Sequence, residues 1–146
     1  MFFGDALAGG CAGITEASEL GSVPELRFVN DCDVPVLLLD GEELVGAKQN
    51  RILNLSVLAP VGKSIVIPVS CVEAGCWRSQ SAEFASASRA HFAAGRARKT
   101  AQVSESLRRS GRRVSDQVAV WSDISDKVFR MDALSKTGAA SFWIWA

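Results

Sequence analysis

A chain of 146 residues with 48% apolar side chains fits one domain and can bury a sizeable core. Its 16 basic and 16 acidic side chains cancel, which argues against a dedicated nucleic-acid or membrane-surface protein. No run of about 18 apolar residues is present to span a bilayer, and the apolar start MFFGDALAGG carries Asp5 and lacks the basic flank of a secretory leader.

The zero charge is a cancellation between segments. Residues 1–77 carry net −6, residues 78–115 net +7 and residues 116–146 net −1, so a dipolar molecule is expected. Cys11, Cys32, Cys71 and Cys76 read as free thiols of a reducing cytoplasm. Cys71 and Cys76 lack a second Cys or His pair at zinc-finger spacing, which argues against a metal site.

Gly4 to Gly10 predicts a short helical turn closed by Gly9 and Gly10. Ala12 to Ala17 alternates as a strand, with Glu16 on the face of Ile14. Val23 to Asn30 supplies a second strand, and the turn NDCDVP leads to Val36 to Leu39, a short run buried on both faces. Asp40-Gly41 is a two-residue hairpin signal, so Glu42 to Gly46 is expected to run back against residues 35 to 39. That arrangement puts Glu42 and Glu43 on opposite faces of one strand near Asp40. The bland explanation is a charged edge strand; the functional one places Asp40 and one Glu in a cleft shared with Lys48, Gln49, Asn50 and Arg51.

Ile52 to Leu58 predicts a further strand, with Arg51 and Gln49 extending the face of its leucines. Gly62-Lys63 lacks the full phosphate-loop spacing and reads as a hairpin loop. On the last strand, Ser64 to Glu73, one face runs Ile65, Ile67, Val69, Cys71, Glu73, with Ser70 on the other. A buried Cys71 is most simply a small hydrophobe, whereas a carboxylate ending an apolar row needs a partner. Folding the two strands about residue 62 makes Arg51 that partner, as an ion pair at a pocket mouth.

Beyond Trp77 the composition shifts to Ala, Ser and Arg, and helices are expected from about 82 to 131, Phe84 and Phe92 seating the first and Gly95 interrupting it. His91, the sole histidine, lies in this segment. Arg96, Arg98, Lys99, Arg108, Arg109, Arg112 and Arg113 form a basic surface that balances the acidic front half, or contacts phosphates in the nucleic-acid alternative. Ser115 or Asp116 caps a clearer amphipathic helix through Trp121, Ile124, Val128 and Met131. SFWIWA closes the chain as an apolar strand pattern.

The stretch LLLDGEELVGAKQNRILNLSVLAPVGKSIVIPVSCVEAGCW closely resembles a prokaryotic family of uncharacterised domains associated with ADP-ribosylglycohydrolases and rhodanese-phosphatase proteins. The likeness continues more loosely from ITEASELGSVPELRFVN to the DQVAVW helix. It implies a role in NAD or ADP-ribose metabolism, with ADP-ribose-processing enzymes as partners, and brings no catalytic residues of its own. Family members extend past SFWIWA, so the chain reads as the front part of a longer domain, and Phe142 to Trp145 are expected to be loosely packed or to lie on a sheet edge.

Together these readings give a single α+β domain over residues 1–146, with an antiparallel twisted sheet over 11–73 and helices packed on one side of it. The expected function is that of a cytoplasmic enzyme or enzyme accessory acting on an ADP-ribose-like nucleotide. Asp40, Glu43 and Glu73 are the candidate catalytic carboxylates, while Glu42, Lys48, Gln49, Asn50, Arg51, Ser70 and Cys71 are the candidate ligand-binding residues. No cofactor fingerprint is present. The alternatives are a non-catalytic ligand-binding module and the nucleic-acid contact above.

Overall fold

Alternating apolar residues in the first half become strands, and the Ala- and Arg-rich second half becomes helix, in the computed structural model, which describes residues 1–18, 24–46, 49–73 and 83–132. The order is α1 (Phe3–Ala8), β1 (Ala12–Glu16), β2 (Glu25–Asn30), β3 (Val36–Leu38), β4 (Glu42–Gly46), β5 (Arg51–Leu53), β6 (Val57–Ala59), β7 (Lys63–Cys71), β8 (Phe84–Ala90), α2 (Ala93–Ser110) and α3 (Gln117–Arg130). The fold is α+β. Six strands form one antiparallel sheet in the order β1-β2-β7-β5-β4-β8, while β3 and β6 pair separately. An isolated bridge between Thr15 and Glu83 brings the two edge strands together and curls the large sheet nearly into a barrel.

Registered neighbours share a face of the sheet. Ile14 lies opposite Phe28, Phe28 opposite Ile65, and Leu53 opposite Val69, so one face of these strands feeds the interior. There Phe3 and Ala6 of α1 meet Ile14, Leu26, Phe28, Leu44, Leu53, Ile67, Val69 and Phe84. Phe3 and Phe28 meet edge to face with ring centroids 6.0 Å apart. On the outside of β5 and β7, Ile52 and Val72 form a second core with Val120 and Ile124 of α3.

The predicted hairpin at Asp40-Gly41 is corrected. Glu42 N–H donates to Leu39 O at 3.2 Å, and Gly41 has φ 78°, so the turn forms, but the strands beside it do not pair. β3 pairs with β6, whereas β4 lies between β5 and β8. The turn passes the chain from the small sheet to the large one. The predicted strand over 52 to 58 likewise breaks at residues 54 to 56, because β5 pairs with β7 while β6 crosses to β3.

Two further expectations are corrected. Phe84 to Ala90 is a strand, not the start of a helix: FASASRA, although Ala-rich, supplies the partner for the otherwise open edge of β4. Cys11 and Cys32 form a disulfide, not free thiols. The reason is register: Ala12 faces Asn30, Asp31 N–H donates to Cys11 O at 2.9 Å, and Cys32 is the next residue, 4.8 Å from Cys11 between Cα atoms. Buried Asn30 fixes the region, its Nδ2 donating to Val34, Ala59 and Pro60 carbonyls and its Oδ1 accepting from Cys32 N–H at 3.1 Å.

Asp116 caps α3 as expected, accepting from Val118 and Ala119 N–H at 3.0 and 3.1 Å. No helix among the described residues is long and apolar enough to cross a membrane. Cys76 and the apolar segment Phe142 to Trp145 lie outside the described residues.

Candidate functional site

Because β4 starts at the Leu39–Glu42 turn and ends near Gln49, the candidate residues divide between its two ends. Five strand residues separate these ends by about 17 Å. Asp40 and Glu42 stand at one end; Gln49, Asn50, Arg51, Cys71 and Glu73 gather at the other, and Lys48 lies outside the described residues.

At the first end the backbone turn is fixed from several sides. Gly41 N–H donates to Leu53 O at 2.9 Å, Asp40 N–H to Ser56 Oγ at 3.0 Å, and His91 N–H to Gly41 O at 2.7 Å. Glycine is required at 41 for its positive φ and also for space, since a Cβ there would lie 2.7 Å from Arg96 Cδ. The Arg96 stem lies across the turn.

α2 supplies the partners of Asp40. Lys99 Nζ donates to Asp40 Oδ1 and to Leu53 O, Thr100 Oγ1 donates to Asp40 Oδ2 at 3.3 Å, and Arg96 Nε stands 3.6 Å from the same oxygen. Lys99 is 1% exposed. Its pKa is lowered by burial, and the Asp40 carboxylate opposes that shift. The two cations and the hydroxyl fasten α2 to the barrel.

Above this anchor a cavity of about 380 Å³ opens, lined by Phe2, Asp5, Asp40, Glu42, Ser86 and Arg96 among others. Glu42 Oε2 accepts from Leu39 N–H at 2.9 Å, yet desolvation raises its carboxyl above the ordinary range. Asp40, Glu42 and Arg96 of α2 line this cavity, and residues 49 to 51 do not.

His91 lies behind the turn, 3% exposed. Burial, then the charge of Lys99, lowers its pKa to about 4, against the attraction of Asp123 and Asp40. The folded pKa lies below the ordinary 6.5, so the unfolded chain takes up the proton first as pH falls. Stability is therefore complete above pH 6.5 and lost progressively down to about pH 4, by about 3 kcal/mol from this group. Glu42 acts in the opposite sense, so the comparison is between variants: urea unfolding of His91→Gln across pH 4 to 7 is expected to show a flatter loss than the parent chain.

The other end holds a separate polar cluster. Arg51, 1% exposed, donates from Nη1 to Gln49 Oε1 at 2.9 Å, and its Nε has no hydrogen-bond partner among the described residues. Cys71 Sγ also donates to Gln49 Oε1, at 3.1 Å, and burial raises the thiol pKa, which disfavours a reactive thiolate. The expected Arg51–Glu73 ion pair does not form. β5 and β7 register Arg51 with Cys71, two positions short, and Glu73 Oε2 instead accepts from Asn50 N–H at 3.1 Å.

Ser70 and Glu43 point to the outer face with Ile52. Ser70 Oγ is 2.6 Å from Asn54 Oδ1 and 2.5 Å from Ser115 Oγ, while Gln117 bonds both N–H and C=O of Cys71. These contacts seat α3. Glu43 is 2% exposed on the same face and does not converge with Asp40 or Glu73.

The groups that sequence reasoning left out of the cleft are Asp5, Ser86 and Arg96, with Lys99 beneath it. A signal existed: Arg96, Lys99 and Val103 recur at three- and four-residue spacing, so two cations share the buried face of α2. Other basic side chains of the helical region are met internally, Arg98 by Asp123 at 2.7 Å and Arg108 and Arg109 by Glu105. Among the described residues no acidic, Cys or His group is arranged to hold a metal ion.

No curated protein and no solved structure matches this chain. Residues 1–142 match the family model described as ARG and Rhodanese-Phosphatase-superfamily-associated Protein domain.

Proposed function

We propose that this chain, which belongs to the ARG and Rhodanese-Phosphatase-superfamily-associated Protein domain family, is a nucleotide-binding accessory of ADP-ribose-processing enzymes and holds an ADP-ribose-like ligand in the Asp40–Glu42 cleft. The family association with ADP-ribosylglycohydrolase proteins supports the ligand class. The observation that carries the site is Arg96. Asp40 already has Lys99 and Thr100, so Arg96 is its third and most distant partner, with a side chain 40% exposed beside the cavity. A guanidinium so placed can turn to a phosphate without leaving Asp40 unpaired. Asp5 and Glu42 offer acceptors for ribose hydroxyls, and about 380 Å³ lies within the usual range of small-molecule sites.

A second reading is hydrolysis of a glycosidic bond, favoured by the raised pKa of Glu42 beside Asp40 in one cleft. Binding without turnover leads because both Asp40 oxygens are engaged by α2.

Calorimetry with ADP-ribose, followed by chromatography of the incubated nucleotide, tests both. Binding with the nucleotide recovered intact is expected, and Arg96→Ala should weaken it roughly 10- to 100-fold, the worth of about 1.5 to 3 kcal/mol for a charged hydrogen bond. Released ribose products abolished by Glu42→Gln would establish the hydrolytic reading. Unchanged affinity in Arg96→Ala would remove the cleft from the function.

A further inference from the structure

We propose that Phe2 recognises the base of the ligand, its exposed ring stacking on the nucleobase of a nucleotide held in the Asp40–Glu42 cleft. This role rests on the reading of that cleft as a nucleotide site, and it accounts for the part of the ligand that the polar groups do not meet. Of the side chains lining the cavity, Asp5, Asp40, Glu42 and Arg96 carry charge, whereas Phe2 and Leu39 are large and apolar. Phe2 is 55% exposed and Leu39 38%. A nucleotide divides in the same way: its sugar and phosphates need charged and hydrogen-bonding partners, while its base presents a flat π-face. A sugar phosphate without a base would leave the apolar part of the wall unused.

The sequence sets two phenylalanines side by side, and the fold separates their roles. Phe3 enters α1 and is fully buried, its ring meeting Phe28 edge to face. Phe2, on extended backbone at φ −83° and ψ 154°, caps the helix and keeps its own ring largely in solvent. Its main chain is nevertheless fixed. Phe2 O accepts from Ala6 N–H at 3.1 Å, Phe2 forms a parallel bridge with Leu37, and Leu37 N–H donates to Met1 O at 2.9 Å. On a fixed main chain an aromatic side chain has two rotatable bonds to settle, so contact through it costs little conformational entropy.

Three elements bring these groups to one cavity. The start of α1 supplies Phe2 and, within its first turn, Asp5; the turn into β4 supplies Leu39, Asp40 and Glu42; α2 supplies Arg96. The ligand is thereby oriented, with its phosphates toward α2, its ribose beside the carboxylates and its base toward the entry of α1. Stacking on an aromatic ring is tolerant of base identity, because every base has a π-face. Phe2 therefore selects ligands that carry a base and does not choose among bases.

The test uses the full chain with ADP-ribose, read by calorimetry and by the proton NMR spectrum of the ligand. In the parent complex the adenine H2 and H8 resonances should move upfield, as protons held over an aromatic ring do. Phe2→Ala should keep the parent melting temperature, weaken ADP-ribose about tenfold and abolish that upfield movement. Phe2→Leu, which keeps apolar bulk at the helix entry, should bind as Phe2→Ala does, and Phe2→Tyr should restore both affinity and shift. ADP-ribose bound equally by Phe2→Ala and the parent, with Arg96→Ala still impaired, would overturn the stacking role and leave the cleft standing. Weakened binding in Phe2→Ala without an upfield shift in the parent complex would also overturn it, since the ring would then only shape the wall. No binding of ADP-ribose by the parent chain would overturn the nucleotide reading of the cleft and the role of Phe2 together.

Discussion

Replacing Asp40 by alanine will destabilise the protein by about 3 to 5 kcal/mol, because it strands a buried lysine charge. Lys99 is 1% exposed, and its remaining partner would be the Leu53 carbonyl. The unfolded chain hydrates the ammonium freely, so the desolvation that already lowers the Lys99 pKa becomes uncompensated in the fold alone. Asp40→Asn keeps an acceptor and is expected to cost less. The decisive construction is the pair: Lys99→Met removes the charge, so Asp40→Ala with Lys99→Met should be more stable than Asp40→Ala by itself. Urea denaturation midpoints at neutral pH measure all four. Losses that add across the two positions would show that the ion pair does not couple α2 to the barrel.

Gly46→Ala is expected to be nearly as damaging, for a reason that lies in the backbone. Gly46 has φ 137°, and a Cβ there would stand 2.5 Å from Glu83 O and 3.3 Å from Phe84 Cα. The obstruction is main chain, so no rotamer change relieves it. A strained backbone costs roughly 1 to 3 kcal/mol and overpacking roughly another 1 to 3 kcal/mol. Gly46 faces Phe84 where β4 and β8 pair, so the change should also loosen the start of β8, seen as faster amide exchange from Phe84 onward. Gly13→Ala is the control, with open space about its Cβ and an expected change within about 0.5 kcal/mol. Equal melting temperatures for the two alanine variants would refute the steric account.

Local chemistry was legible in the sequence, and partner choice was not. The Asp40-Gly41 signal did mark a turn, since only a residue tolerant of positive φ suits that position. It did not say that β3 would leave for β6. Alternation showed that Arg51 and Cys71 share a face with Leu53 and Val69, and the register missed by two positions because β6 takes residues out of the loop between β5 and β7. FASASRA reads as helix because Ala favours helix locally, while the open edge of β4, a tertiary demand, makes it strand. The Asp40 cleft needed the docking of α2 from 56 residues further on, as Arg96 shows. No local pattern before residue 90 announces that contact.

The hand-over of chain between the two sheets also bears on how fast the molecule can assemble. Phe28 must find Ile65, and Leu44 must find Ser86, before either strand gains a neighbour on that side. β1 with β2 is a sequence-adjacent pair, whereas the ladders that join the barrel wall wait on distant segments, and loop closure is charged before their contacts form. Topologies of this kind fold on the millisecond-to-second scale, slower than helical bundles of similar size. α2 and α3 can acquire helical structure early, yet the Lys99 anchor forms only after the turn at Asp40 exists. The last event in refolding should accordingly be the arrival of α2 on the turn, so that the Asp40 cleft is completed after the barrel wall.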